Sequence, residues 1–140
     1  MRTNSLFIDT SGWMAQLSPN EMYHDQANAE LRQAILDLHI TIYTTDQVLA
    51  ELVALMTTRR FPRQQILNDV GTILRGSRIT KLYTDQSLFL DAWALLTDRP
   101  DKEWSLADAI LILRMQQLGV TEVLTNDHQF EQAGFVRLLT

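Results

Sequence analysis

Four acidic residues stand far apart in this chain, each beside the apolar segment of a predicted strand or helix: Asp9, Glu51, Asp108 and Asp127. An isolated carboxylate is costly to bury at such a position, so the four acids are expected to share a positive partner. Asp9 closes the apolar run 5–8, and Asp127 follows a similar run, 122–125. Several oxygen ligands that converge at one edge of a sheet favour a hard cation such as magnesium or manganese.

Two of these acids also have a structural interpretation that the residues leave open. Asp9 would cap a turn through residues 10–12, although Thr10 and Ser11 are able to cap that turn without it. Glu51 borders the apolar face of its predicted helix, a position that suits a solvated glutamate as well as a metal ligand.

The other two acids stand where helix caps and turns are common. Asp108 follows Ser105 at the spacing of a capping box, in which its carboxylate accepts from the backbone amide of Ser105. Asp127 lies just past a strand, where Asx turns occur often. Each acid alone is compatible with a cap, a turn or, for Glu51, a solvated position, and the set of four is what indicates a shared metal.

Other reaction chemistries find less support. A phosphatase of the haloacid dehalogenase type needs a second aspartate two residues after Asp9, where the chain has Ser11. A receiver-like domain needs an aspartate at the end of the third strand, where Lys81 and Leu82 stand. The chain has no cysteine, which excludes thiol catalysis and cysteine zinc sites. No metal-ligand spacing links the three histidines, which are expected to be ordinary surface or turn residues: His24, His39 and His128.

Short apolar runs predict the strands that position these acids. They cover residues 5–9, 40–44, 78–82 and 122–125, with a weaker one at 135–138. Apolar stripes at three- and four-residue steps predict helices in the gaps, one of them over 21–38 with five inward-facing residues: Ala27, Leu31, Ala34, Ile35 and Leu38.

The remaining helices are delimited by capping and breaking residues. One follows the cap at Thr45 and ends before Pro62. The next runs from Pro62 to Gly76, and a third follows a cap at Thr84 or Asp85. Ser105 opens the last long helix, for which glycine at position 119 is a good C-terminal stop.

Strands that alternate with helices imply right-handed parallel crossovers and a sheet covered on both faces. We therefore predict an α/β fold, a three-layer α/β/α sandwich with a central, mostly parallel sheet of four to five strands. At 140 residues the chain is expected to form a single domain, 1–140. The carboxyl ends of the strands carry the functional site in such sheets.

Charge and hydropathy indicate where in the cell the protein is expected to be. The net charge of −5 argues against tight non-specific binding of nucleic acid, although four of the acids are the site candidates. No apolar stretch approaches the roughly 18 residues of a membrane span, and residues 1–4 lead into a strand without a signal-peptide pattern. We expect a cytoplasmic protein that does not enter the membrane.

Three local strings accompany the acids: Ile8-Asp9-Thr10-Ser11, Trp104-Ser105-Leu106-Ala107-Asp108-Ala109 and Leu124-Thr125-Asn126-Asp127-His128-Gln129-Phe130. Their order, spacing and placement on strand, helix, helix and strand resemble the PIN domain family over nearly the whole chain. The resemblance is closest to its small single-domain members, the VapC-type toxins of bacterial and archaeal toxin–antitoxin pairs. It implies a PIN-like form of the predicted fold.

The resemblance also implies an activity and a set of site residues. A small PIN-like protein is expected to be a metal-dependent endoribonuclease that hydrolyses RNA phosphodiester bonds, the toxin of a type II pair. The implied catalytic and metal residues, with Mg²⁺ or Mn²⁺ as cofactor, are Asp9, Glu51, Asp108 and Asp127. The implied supporting polar residues are Thr10 and Ser105.

The expected partners are an RNA substrate, a protein antitoxin and, for a homodimer, a second copy of the chain. Basic residues beyond the helix that bears Glu51 are candidate RNA contacts, and the densest cluster is Arg59, Arg60 and Arg63. Arginine at a helix C-terminus is equally favourable without RNA. Two alternative functions stay open: a non-catalytic PIN-like RNA- or protein-binding module with a structural cation, and a phosphomonoester hydrolase.

Overall fold

Five short strands form one sheet in the computed structural model, which describes residues 4–140 of the chain. The strands are β1 (Ser5–Ile8), β2 (Thr41–Thr45), β3 (Ile79–Leu82), β4 (Glu122–Leu124) and β5 (Val136–Arg137). Residues 1–3, on which the expectation about a signal peptide partly rests, lie outside the described part. The spatial order is β3-β2-β1-β4-β5, and each of the four pairs of neighbours is parallel. The predicted fold class is confirmed.

Seven helices connect these strands in the described chain: α1 (Thr10–Leu17), α2 (His24–Leu36), α3 (Asp46–Thr58), α4 (Arg63–Arg75), α5 (Gln86–Asp98), α6 (Leu106–Leu118) and α7 (Gln129–Gln132). The predicted caps are confirmed at Thr45 and Asp85, whose side chains accept from the amides of Val48 and Leu88. No helix between residues 4 and 140 is long and apolar enough to cross a membrane.

The two faces of the sheet are both covered, because successive residues of β1 point to opposite sides. Leu6 and Ile8 pack into a core with residues of α1, α2, α3 and α4. Phe7 packs into a second core with residues of α6 and with Phe130 of α7. Helix α5 packs mainly on α6 through a third cluster that includes Leu88 and Ala92. Burial of apolar strands from both sides is what a parallel sheet requires.

Two helical details differ from the sequence predictions. The predicted turn through residues 10–12 is the start of a full helix, α1, buried between the sheet and its neighbours. Ile35 and Leu38, which were predicted to face inward, are 38% and 81% exposed, and Leu38 lies beyond the end of α2 at Leu36. The predicted end of α4 at Gly76 is confirmed, because Gly76 is the C-cap of that helix.

The chain reverses its direction across the sheet between β1 and β4. From β1 it proceeds to β2 and β3 on one side, and from β4 it proceeds to β5 on the other. The neighbouring carboxyl ends of β1 and β4 therefore form a topological switch point, where open α/β sheets bind their ligands.

Candidate functional site: an acidic cleft at the switch point

Asp9 lies directly after β1, at the N-cap position of α1. Asp9 is buried, with 7% of its surface exposed, yet its side chain makes no capping hydrogen bond to that helix. The hydroxyl of Thr125, just past β4, donates instead to Oδ2 of Asp9 at 3.0 Å. The structural alternative, a cap for residues 10–12, is therefore not the role that the Asp9 carboxylate has.

A chain of hydrogen bonds supports Asp9 from β4. Because the Thr125 proton goes to Asp9, the hydroxyl of Ser11 donates to Thr125 Oγ1, at 2.9 Å. The amide of Asp127 also donates to Thr125 Oγ1, at 3.1 Å, and the amide of Asn126 donates to Ser11 Oγ at 3.1 Å. The buried Thr125 hydroxyl thus uses its full hydrogen-bonding capacity to tie two site acids together.

Gly12 permits this network, because it brings α1 against the end of β4. A Cβ atom at Gly12 would lie 2.1 Å from the carbonyl oxygen of Leu124, which is backbone that cannot rotate away. Only glycine fits at this close approach. The same carbonyl accepts from the amide of Asp9, so α1 and β1 are both fixed to β4 beside the site.

Asp108 is the N3 residue of α6, and the predicted capping box is present. The amide of Ser105 donates to Asp108 Oδ2, and the amide of Asp108 donates to Ser105 Oγ, both at 3.0 Å. Asp127 forms the expected turn, since its Oδ1 accepts from the amide of Gln129 at 2.9 Å. In each case the bond occupies one carboxylate oxygen, so the caps do not exclude a ligand role for the other.

The four predicted acids line a single cleft of about 560 Å³ at the switch point, although two of them follow β1 and β4 and the other two come from α3 and α6. Both predicted supporting residues, Thr10 and Ser105, line it too. Glu51 is exposed and has no hydrogen-bond partner among residues 4–140. The cleft also contains residues that sequence reasoning did not place in the site: Ser11, Met14, Glu21, Leu55, Asn126 and His128.

Burial and repulsion between carboxylates both act in this cleft. The pKa of Asp9 is raised to about 7, first by burial and then by the charges of Asp108 and Glu51, against the opposing hydrogen bonds from the Thr10 backbone amide and the Thr125 side chain. Burial also raises the pKa of Asp108, with smaller contributions from Asp127 and Glu51. Each ionised carboxylate makes ionisation of its neighbours less favourable, so a bound cation would stabilise the site.

The donor set fits a hard cation such as Mg²⁺ or Mn²⁺. Every candidate donor is an oxygen, and the buried hydroxyl of Thr10 has no hydrogen-bond partner among the described residues. A buried hydroxyl without a partner is unfavourable unless a ligand completes it. As the side chains stand, no three acidic or histidine groups within residues 4–140 have coordinating geometry.

Only one of the three predicted RNA-contact arginines lines the cleft. Arg59, the C-cap of α3, forms an ion pair with Glu21, and both side chains line the cleft. Arg60 has φ 61°, a left-handed conformation usually taken by glycine, and lines no part of the cleft. Arg63 begins α4 and is likewise outside it. Arg59 is therefore the one arginine of the three that lines the acidic cleft, and RNA contact by any of the three stays a prediction.

Two of the three histidines, His24 and His128, lie in different surroundings. His128 is exposed and lines the cleft, which its sequence position beside Asp127 could have indicated. His24 lies apart from the cleft and is structural rather than an ordinary surface residue. Its Nδ1 bonds the carbonyl of Ala15 at 2.8 Å and its Nε2 accepts from Asn28 at 3.0 Å, which joins α1 to α2. The carbonyl can only accept, so Nδ1 carries the proton.

A parallel α/β domain with an acidic cleft at its switch point defines a class of ligand-binding folds. Within that class, the family model described as PIN domain matches residues 6–136 of the chain. The chain belongs to the PIN domain family. The resemblance inferred from the sequence strings is thereby confirmed.

The chain is similar to two VapC20 proteins of Mycobacterium tuberculosis, strains CDC 1551/Oshkosh and H37Rv, each named a 23S rRNA-specific endonuclease. Identity to each is 25% over 136 residues, which is 95% of this chain and 97% of the relative. The crystal structure of M. tuberculosis VapC20, described as a sarcin–ricin loop cleaving toxin, superposes with a TM-score of 0.85 at 23% identity, over 96% of this chain and 99% of that one.

A second solved structure, FitAcB from Neisseria gonorrhoeae, superposes with a TM-score of 0.64 at 20% identity. The superposition covers 95% of this chain and 96% of the FitAcB chain. At these identities the two structures establish the fold of the chain, a five-stranded PIN-type sandwich.

Proposed function

We propose that this protein is a metal-dependent endoribonuclease that hydrolyses phosphodiester bonds in RNA. The observation that carries the proposal is the convergence of Asp9, Glu51, Asp108 and Asp127 on one cleft at the switch point. The names of the M. tuberculosis relatives, which describe an endonuclease acting on ribosomal RNA, support RNA as the substrate class. Ribosomal RNA is accordingly the first substrate to test.

The chain contributes position and charge rather than a covalent nucleophile. Asp9 and Asp108 are the proposed direct ligands of the cation, because burial and mutual repulsion make them the acids that gain most from it. Asp127 is proposed as a direct or water-mediated ligand. A bound divalent cation supplies charge stabilisation at the phosphate and a water of lowered pKa.

Glu51 is the proposed general base or water-positioning group. It is the most exposed of the four acids, it lies on α3, and no hydrogen bond within the described chain restrains its carboxylate. A base has to reach a solvent-derived water beside the phosphate, which suits an exposed carboxylate. Thr10 and Ser105 support the acids by occupying the adjoining polar positions.

The toxin role follows as part of the same proposal, supported by the description of VapC20 as a toxin. An active ribonuclease has to be held silent in the cell that makes it, so we propose a protein antitoxin with a segment that covers the acidic cleft. A homodimer is retained as a proposal for the assembly. An overlapping or adjacent upstream reading frame for a small DNA-binding protein would support the pairing.

The test is cleavage of labelled RNA by the purified protein in Mg²⁺, in Mn²⁺ and in EDTA, with a generic phosphomonoester as a parallel substrate. We expect RNA scission with either metal and none in EDTA. RNA binding without scission in all three conditions would favour the non-catalytic module, and release of phosphate from the monoester alone would favour the phosphomonoester hydrolase.

A further inference from the structure

Glu21 is the fifth carboxylate of the cleft, and it differs from the other four in having a cationic partner. It lies in the connection between α1 and α2, and its Oε1 pairs with Nη1 of Arg59 at the end of α3. Among the described cleft-lining residues, Arg59 is the only arginine or lysine. The pair therefore neutralises the one guanidinium that faces the acids.

The ion pair is exposed enough to exchange partners. The Arg59 side chain is 46% exposed and the Glu21 side chain is 28% exposed, so water competes for both groups. Exposed ion pairs contribute little to stability and are screened by salt. The contact can therefore open without disturbing the buried packing on either side of it.

A phosphate diester is the natural replacement for Glu21 on Arg59. The guanidinium fork donates two parallel hydrogen bonds to carboxylate and to phosphate alike. An RNA that enters the cleft meets five carboxylates and a guanidinium whose charge is already compensated by one of them. Binding is favoured when a phosphate takes that guanidinium and Glu21 turns to solvent.

We propose that Glu21 is a resident competitor for Arg59: it occupies the guanidinium in the free protein, and an RNA phosphate displaces it on binding. Glu21 then sets how tightly RNA is bound, while Arg59 is the residue that touches the substrate. The inference rests on the proposed function, because it takes RNA as the ligand of the cleft.

The competition has a kinetic signature that differs from simple repulsion. Glu21→Gln frees Arg59, so RNA should bind more tightly with little change in the chemical step. We expect KM for RNA to fall about two- to fivefold at low salt, with kcat nearly unchanged. The difference in KM between Glu21→Gln and the wild type should shrink between about 50 and 200 mM salt, because the freed guanidinium makes a salt-sensitive phosphate contact.

The experiment is RNA cleavage kinetics with Mn²⁺ for the wild type, Glu21→Gln, Arg59→Gln and the double variant. Since Glu21 acts through Arg59, the double variant should have the KM of Arg59→Gln, which is higher than that of the wild type. Asp101→Asn is the matched control, because it removes the carboxylate of another exposed arginine pair whose residues do not line the cleft. Its KM should equal that of the wild type.

Two results overturn the inference while leaving the ribonuclease proposal intact. One is a higher KM in Glu21→Gln, which would make Glu21 an aid to Arg59 rather than its competitor. The other is a Glu21→Gln effect that persists in the Arg59→Gln background, which would mean repulsion by charge alone. A thermal melt checks folding, and Glu21→Ala provides a second variant with the same expected direction. A wild type that does not cleave RNA at all would instead refute the proposed function, and this inference with it.

Discussion

The Thr125 hydroxyl donates a 3.0 Å hydrogen bond to the carboxylate of Asp9, a residue 116 positions away in the chain. Thr125 is fully buried, and its oxygen also accepts from Ser11 and from the amide of Asp127. One side chain therefore fixes the orientation of the acid after β1 and of the acid after β4. Such supporting bonds determine how well a set of ligands is preorganised for a cation.

Replacing Thr125 with valine tests this support. Valine keeps the shape of the side chain, but it leaves Asp9 Oδ2 and the Asp127 amide without their shared partner. We expect manganese affinity, measured by calorimetry, to fall about 10- to 100-fold. Thr125→Ser, which retains the hydroxyl, should stay close to the wild type. Equal affinity in Thr125→Val and the wild type would show that the network does not organise the metal site.

The raised pKa of Asp9 predicts how metal-free stability depends on pH. Its pKa is about 7 in the folded protein, against an ordinary value of 3.8, so the folded state binds the proton more tightly. The free energy of unfolding should therefore fall as pH rises from about 4 to 7, by on the order of a few kcal/mol. Thermal melts in EDTA across this range measure the effect.

Asp9→Asn is the matched variant for that measurement. The amide has the shape of the carboxylate without a titrating charge, so the variant should lose much of the pH dependence and melt higher than the wild type at neutral pH. Asp108 should retain a smaller dependence of the same sign, because its pKa is also raised. A wild type whose melting temperature rises from pH 4 to 7 would contradict the buried, repelled state of Asp9.

The two roles of Asp108 can be separated by comparing Asp108→Asn with Ser105→Ala. Asparagine keeps an oxygen that accepts from the Ser105 amide, whereas Ser105→Ala removes the acceptor for the Asp108 amide. We expect Ser105→Ala to cost about 0.5–2 kcal/mol of stability with little change in manganese affinity. Asp108→Asn should retain most of the stability and lose most of the affinity. Unchanged affinity in Asp108→Asn would leave capping as its role.

Substitutions at two glycines should have opposite effects on stability, because only Gly12 lies at the close approach of α1 to β4. Gly12→Ala places a methyl group 2.1 Å from a backbone oxygen, so α1 has to move away from the site. We expect a loss of at least about 2 kcal/mol in chemical denaturation, together with weaker manganese binding. Gly71→Ala in α4 meets only the flexible end of Arg75 and should gain about 0.5–1 kcal/mol. A tolerated Gly12→Ala would show that the approach is not required.

The sequence predicts the strands well because each is a short apolar run between polar breaks, and it places the four acids because strand ends and helix caps have local signals. Helix α1 was missed because its sequence, with Gly12 in the first turn and apolar residues on every side, has no amphipathic pattern to reveal it. The inward position of Leu38 was wrong because the helix ends two residues earlier, at Leu36.

The supporting network could not be predicted, since it depends on which strands are neighbours. Ser11 and Thr125 meet only because β1 pairs with β4, a strand far away in sequence, as well as with β2. The same holds for Glu21 and Arg59, which stand 38 residues apart on different connections. A motif identifies the acids, and the topology decides which other residues join them.

The most direct test of the central claim is the rate of RNA cleavage as a function of Mn²⁺ concentration, compared between the wild type, Asp9→Asn and the control Asp101→Asn. We expect saturable, manganese-dependent cleavage in the wild type and the control, and its loss in an Asp9→Asn protein whose melting shows that it is folded. Cleavage that persists in EDTA, or that survives unchanged in Asp9→Asn, would contradict a cation-dependent nuclease site built on the four acids.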